Sequence, residues 1–367
     1  MDDARVMSAI DYAKAAIDTM MRKYEASKLP PEGHFHYHQG VFLSGVYQTY
    51  LLTGDEKYFD YMKAWVDAMM DEEGSFYQRG ECHLDDIQPG NLIFPIYERY
   101  PLAKYRKALD DLMADICRYP RNQEGGFWHM KLFPNQMWLD GLYMGGPFVC
   151  KYAKLSGHAE YYDISIEQVL LMERKTLDRK TGLWYHAYDE TRTAEWADKV
   201  SGCSPEFWGR SLGWVPVAIL EELEDIPQIH PEYQEMRRLV KNLLTAICLY
   251  QSEDGRWYQV VNKGEEPENW LENSCSCLYV AAIAKAVKMG ILDDTYWQQA
   301  QKGYEGVINS LTWDGEDLQI GNVCIGTGVG DFAYYCERPT STNDLHGVGA
   351  FLLMCAAIEE KRKKSSN

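Results

Sequence analysis

Residues 102–156 read LAKYRKALDDLMADICRYPRNQEGGFWHMKLFPNQMWLDGLYMGGPFVCKYAKLS. Three segments follow one another there. Residues 102–118 are charge-rich, with apolar side chains three and four positions apart, the period of a helix that buries one face. Gly125-Gly126-Phe127-Trp128 interrupts that pattern. Residues 137–155 form a second, more apolar segment carrying Gly141, Gly145 and Gly146. Glycine inside a helix costs about 1 kcal/mol against alanine, so close approach of neighbouring backbone has to offset it. The unit predicted is an outer helix with one face in water, a glycine–aromatic loop, and an inner helix packed tightly.

The unit recurs five more times. Further charged helices are expected near 4–26, 55–70, 158–175, 231–251 and 293–311. Further inner helices are expected near 39–53, 86–98, 209–224, 272–288 and 344–359. The loops between them are Glu32-Gly33-His34-Phe35, Glu73-Gly74-Ser75-Phe76, Gly182-Leu183-Trp184, Gly255-Arg256-Trp257 and, more loosely, Gly328-Val329-Gly330-Asp331-Phe332. Self-similarity of this kind signals a repeat architecture. The loop-to-loop distance grows from about 41 to about 75 residues, through insertions such as 185–208. An open solenoid keeps a regular period, so a closed ring fits better. The expected fold is all-α: an (α/α)6 barrel, or six-hairpin toroid, built as one domain by residues 1–367. The glycine–aromatic loops all leave one end of such a ring, which makes that end the functional mouth.

Composition narrows the function. A formal charge of −18 makes nucleic acid and anionic membrane poor partners. No apolar run approaches the roughly 18 residues of a spanning helix. The start, MDDARVMSAIDYAKAA, is acidic where a secretory signal is basic, so a cytoplasmic location is expected. The ten cysteines include no C-x-x-C pair, and Cys275 and Cys277 lack a histidine cluster nearby, so no structural zinc is expected. No H-x-x-x-H or carboxylate–histidine spacing points to a catalytic metal either. Tyrosine (26) and tryptophan (11) are abundant; most serve packing, but those in loops beside Gly, Asp or His suit stacking against sugar rings.

Several loop residues stand out. Asp140 opens an apolar inner helix behind Trp138, where an unpaired carboxylate is costly and points to chemistry. Asp85 lies in His83-Leu84-Asp85-Asp86, and one of that acidic pair is expected to cap the inner helix; spacing alone leaves open which. A second carboxylate near Asp140 would raise its proton affinity, keeping it an acid near neutral pH. His129 and His186 recur at equivalent loop positions and could orient substrate hydroxyls or a carboxylate. Arg210, on an inner helix, has to pair with an acid or hold an anion. Trp208 and Trp214 flank it as possible sugar platforms. Arg338 and His346 could help close the pocket.

The segments MWLDGLYMG (137–145), FWHMK (127–131), LDDIQPG (84–90), WYHAYD (184–189), FWGRSLGW (207–214) and RPTSTNDLHGVGAF (338–351) together resemble those of the unsaturated rhamnogalacturonyl hydrolases, glycoside hydrolase family 105. The resemblance covers almost the whole chain, with the loops in order. It implies the (α/α)6 barrel. It also implies release of 4,5-unsaturated galacturonic acid from the non-reducing end of lyase-made rhamnogalacturonan and pectin oligosaccharides, by hydration of the vinyl ether. Asp140 would then be the general acid/base and Asp85 the second essential carboxylate. Tyr37, His129, His186, Trp208, Arg210, Trp214 and His346 would bind the sugar. The partner would be an unsaturated uronate-terminated oligosaccharide, with no metal or organic cofactor needed. The related unsaturated glucuronyl hydrolases of family 88 share this chemistry and are the alternative. A sugar epimerase using His129 and His186, or a non-enzymatic helical-repeat binder, are more distant ones.

Overall fold

The structure, a computed structural model, describes residues 7–366; residues 4–6 of the first expected helix lie outside the described residues. Helices alternate between two rings. The first pair is α1 (Ala9–Lys23) and α2 (Tyr37–Thr53). The second is α3 (Glu56–Ala68) and α4 (Ile93–Arg99). Next come α5 (Ala103–Arg118) with α6 (Asp140–Ser156), and α7 (Glu160–Thr176) with α8 (Gly209–Asp225). Then α9 (Tyr233–Cys248) precedes α10 (Asn273–Lys288). Finally α11 (Trp297–Asn309) is followed by the short α12 (Phe332–Cys336) and by α13 (Leu345–Ser366).

The even helices through α10, with α13, form the inner ring. α6 packs on α8, α8 on α10, α10 on α13 and α13 on α2; the 3-10 turn at Gln88–Leu92, ahead of α4, bridges α2 to α6 and closes the circle. Outer helices lie against them, α7 on α6, α9 on α8 and α11 on α10. Local sequence sets the ends: α1 starts in a reciprocal capping box between Ser8 and Asp11, which satisfies amides left free in the first turn. The glycines of the inner ring serve close packing. A Cβ on Gly349 would lie 2.6 Å from backbone atoms of Val41 and Phe42, and one on Gly45 would lie 2.5 Å from Leu352. The α2–α13 contact therefore depends on both residues lacking a side chain.

Two expectations need correction. The inner helix expected over 86–98 is interrupted: Leu84–Asp86 and Gln88–Leu92 are 3-10 turns, and only Ile93–Arg99 is α-helical. Pro89 has no N–H to donate, and Gly90 is pressed against Leu112 and Phe148. Among the described residues the loops also contain four two-stranded antiparallel ribbons. One pairs Gln136–Trp138 with Ala187–Asp189, setting Trp138 opposite Ala187. Among the described residues no helix is long and apolar enough to cross a membrane.

The two ends of the ring differ. A cavity of about 670 Å³ opens among the C-terminal halves of the inner helices, lined by Tyr47, Phe94, Tyr97, Lys151 and Glu221 among others. None of the residues singled out above for chemistry lines it. They lie at the other end, where the inner helices begin.

Candidate active site

Tyr37 is the first residue of α2, Asp140 the first of α6, Arg210 the second of α8 and His346 the second of α13. Asp85 sits in the turn before α4, while His129 and His186 lie in the loops that lead into α6 and α8. Separate glycine–aromatic loops thus deliver these side chains to one mouth.

The ribbon between 136–138 and 187–189 brings His186 to Asp140. His186 Nε2 is 3.0 Å from Asp140 Oδ2, and the imidazole is fully buried. On its other side, Nδ1 lies 2.6 Å from the hydroxyl of Tyr335. That hydroxyl accepts the Gly330 amide at 3.1 Å. Sequence reasoning did not single out Tyr335; its only signal was an aromatic pair inside the long sixth loop.

His129 stacks flat on Trp138 (4.3 Å between centroids, 11°) and places Nε2 3.6 Å from Asp85 Oδ1. Burial is the main influence on His129 and holds it below the usual imidazole range, against the pull of Asp85 and Asp140. Asp85 and Asp86 divide their work. Asp86 accepts the Gly80 amide at 2.5 Å and contacts His36 Nδ1 at 2.7 Å, so it fixes the loop. Neither caps a helix, contrary to expectation. Asp85 is the member of the pair that faces His129.

The electrostatics of Asp140 also differ from expectation. Burial pushes its carboxyl up, but the hydrogen bond and charge of His186, with the charges of His129 and Arg210, outweigh burial and hold it below the usual carboxylate range. These contacts favour the carboxylate form of Asp140. The proximity of His186 to Asp140 could not be read from sequence.

Arg210 is 2% exposed. Its guanidinium donates to the carbonyl oxygens of Cys324 at 2.6 Å and Ile325 at 2.9 Å. These acceptors are neutral, so the cation is positioned without being neutralised by its own hydrogen bonds. Trp208 lies under that guanidinium at 4.7 Å and stacks on Tyr335 at 5.7 Å, with Nε1 bonded to Gln259. Trp208 is almost fully buried and supports Arg210 and Tyr335. Trp214 lies a further turn along α8, almost fully buried and stacked on Tyr143 at 4.6 Å. It packs within the main hydrophobic core cluster. Tyr37 is nearly buried, and burial raises its phenol well above the ordinary range. His346 is buried against Cys324 and Asp344.

Comparison with known proteins identifies the fold and the family. The family model described as Glycosyl Hydrolase Family 88 matches residues 12–362. A glycoside hydrolase of Family 105 from C. acetobutylicum ATCC 824 superposes with a TM-score of 0.91 at 33% identity, covering 95% of this chain and 99% of that one. The unsaturated rhamnogalacturonyl hydrolase YesR of Bacillus subtilis (strain 168) is 24% identical over 332 residues, 89% of this chain and 90% of that protein. An unsaturated glucuronyl hydrolase from Bacillus sp. GL1 shares the fold, with a TM-score of 0.70 at 17% identity and 97% of both chains covered. The ring is thus the (α/α)6 toroid of glycosidases, and the chain belongs to Glycosyl Hydrolase Family 88.

Proposed function

We propose that this glycosidase, acting as one catalytic domain, releases 4,5-unsaturated galacturonic acid from the non-reducing end of lyase-generated rhamnogalacturonan oligosaccharides. The observation that carries this reading is the buried chain from Asp140 through His186 to Tyr335, set at the same mouth as Asp85 and Arg210. The likeness to YesR supports the choice of a rhamnogalacturonan substrate. All ten cysteines are free thiols, which suits a reducing compartment such as the cytoplasm.

Arg210 has the charge and the planar fork to take the substrate's carboxylate. That contact would offset one of the charges that hold Asp140 ionised, and the sugar would displace water from it. Both changes raise the proton affinity of Asp140. Protonated Asp140 then gives its proton to C4 of the enol ether, and positive charge spreads over C5 and the ring oxygen. Water adds its oxygen at C5 and returns a proton to the Asp140 carboxylate. The resulting hemiketal opens to a C5 ketone, and the aglycone leaves from C1. A tyrosine hydroxyl both donates and accepts, so Tyr335 can serve either tautomer of His186 while Asp140 loses and regains its proton.

The test is incubation with lyase-made rhamnogalacturonan fragments while following the ultraviolet absorbance of the conjugated double bond. Its loss is expected. Loss only with fragments ending in unsaturated glucuronate would move the specificity to that sugar. Persistence with both substrates overturns the reading.

A further inference from the structure

Beside this proton-transfer chain, where α2 meets α13, three further side chains converge: His38, Asp344 and His346. His346 is fully buried. Its Nε2 lies 3.0 Å from the carbonyl oxygen of Cys324. A carbonyl only accepts, so Nε2 carries a proton. The other nitrogen, Nδ1, lies 2.8 Å from Asp344 Oδ1 yet makes no hydrogen bond, because the oxygen is out of line with a ring N–H. Ser341 holds the second carboxylate oxygen of Asp344 at 3.3 Å. His38 approaches from α2, with Nε2 4.0 Å from the same Oδ1. The two imidazoles meet edge to face, 5.2 Å between centroids. One donor atom of each residue lies within 4.8 Å of those of the other two.

We propose that His38, Asp344 and His346 form a binding site for a divalent transition-metal cation of the Zn²⁺ class. A neutral Nδ1 and a carboxylate oxygen are both acceptors, and at 2.8 Å they repel unless positive charge lies between them. A proton on Nδ1 would draw the oxygen into line, whereas a metal ion bound by both has no such requirement. Two imidazole nitrogens and one carboxylate oxygen are a donor set for zinc and its first-row neighbours, not for calcium or magnesium. Bonds of about 2.0–2.2 Å place tetrahedral ligands roughly 3.3 Å apart, so the 2.8 Å pair has to open by about 0.5 Å and His38 has to move inward by up to about 1.5 Å. Tyr37 stands beside the site, its ring 4.2 Å from that of His38. The nearby charge of Arg210 opposes a second cation, so micromolar rather than tighter affinity is expected. Spacing could not show this site: Asp344-Leu345-His346 offers two ligands, and the third comes from the far end of the sequence.

The inference does not depend on the proposed reaction, and its test measures binding alone. Chain treated with EDTA and dialysed is titrated calorimetrically with ZnCl₂ and with MgCl₂, and the Co²⁺ complex is examined by visible absorption. One Zn²⁺ per chain, no Mg²⁺ heat, and Co²⁺ bands of four- or five-coordinate geometry are expected. Losing an outer-shell partner already costs about 10–100-fold in metal affinity, so His38→Gln and Asp344→Asn should each weaken binding at least about tenfold. His158→Gln, at an exposed site paired with Glu160, should change nothing. Absence of Zn²⁺ binding up to millimolar concentration overturns the proposal and leaves an ion pair between His346 and Asp344. Binding that survives both ligand substitutions overturns it too, since the metal then sits elsewhere. Should neither variant fold, the wild-type Co²⁺ spectrum decides, and a purely octahedral aquo spectrum counts against the site.

Discussion

The hydroxyl of Tyr335 is 2.6 Å from Nδ1 of His186, a residue 149 positions earlier, and both side chains are buried. Through this contact the short α12 of the sixth hairpin reaches the ring that touches Asp140. When the phenol donates to Nδ1, Nε2 holds a proton and stabilises the Asp140 carboxylate. When the phenol accepts, Nε2 presents a lone pair to protonated Asp140.

Tyr335→Phe should therefore keep the stack on Trp208 and lose control of the His186 tautomer. General acid–base catalysis contributes about 10²–10⁴-fold in total, and a positioning residue should account for part of this, roughly tenfold in kcat. KM should stay near wild type and the acid limb of the pH profile should shift. A profile superimposable on wild type at all pH values would reduce Tyr335 to packing.

Asp140→Asn should retain the fold and lose turnover. The amide is nearly isosteric and can still meet His186, but it cannot give a proton to carbon. A folded variant, verified by circular dichroism, that keeps more than about a tenth of wild-type kcat would be incompatible with a general-acid contribution of 10²–10⁴-fold.

Much of the fold was legible because the repeat is written in helical periodicity and in the glycine–aromatic loops. Asp140 could be picked out because a buried carboxylate on an apolar inner helix is costly, although an acid in a first turn also suits the helix dipole. Its protonation state could not be, because that depends on His186, which a two-stranded ribbon brings to it from 46 residues away. Trp214 shares a helix face with Arg210, four residues earlier, but its partner Tyr143 comes from α6 and could not be read from spacing. Tyr335 was missed for a related reason: the sixth loop follows the repeat only loosely, so nothing local marks which of its tyrosines points inward.

Arg210→Lys should impair the enzyme almost as much as Arg210→Ala. Lysine keeps the charge but cannot bond Cys324 and Ile325 and also present a planar fork to a carboxylate. A rise in KM with a fall in kcat is expected, because bound carboxylate also helps Asp140 take up its proton. Unchanged kcat and KM in folded Arg210→Ala would show that the carboxylate binds elsewhere.

Glu222 gives a prediction about stability. It is fully buried on α8, and burial pushes its pKa from the ordinary 4.5 up to about 8. Between those values the unfolded chain ionises this group and the folded chain keeps it protonated. Stability is full below pH 4.5 and falls as pH rises toward 8. Each unit of separation corresponds to about 1.4 kcal/mol. Glu222→Gln should remove most of that slope, raising the melting temperature at pH 8 more than at pH 5. Equal shifts at both pH values would mean that Glu222 is ionised in the folded protein.

The origin of the new atoms in the product separates hydration from direct glycosidic hydrolysis. Hydration places the solvent oxygen at C5 and a solvent hydrogen at C4. Direct hydrolysis places oxygen at C1 and leaves C4 untouched. In deuterated water, early product should carry deuterium at C4; in heavy-oxygen water, the label should be on the C5 ketone. A ketone exchanges its oxygen with water, and hydrogens beside it exchange as well. Spectra therefore have to be taken within the first turnovers, alongside product incubated without enzyme. The deuterium arm is the stronger one, because it reports directly on proton donation to carbon by Asp140. The surroundings of Asp140 favour its ionised form, so that donation requires the carboxylate to be protonated once substrate occupies the mouth. The rate of deuterium incorporation should consequently fall as pH rises, in step with kcat. Early product without deuterium at C4 would remove the hydration mechanism, even with the sugar released and the toroidal fold unchanged.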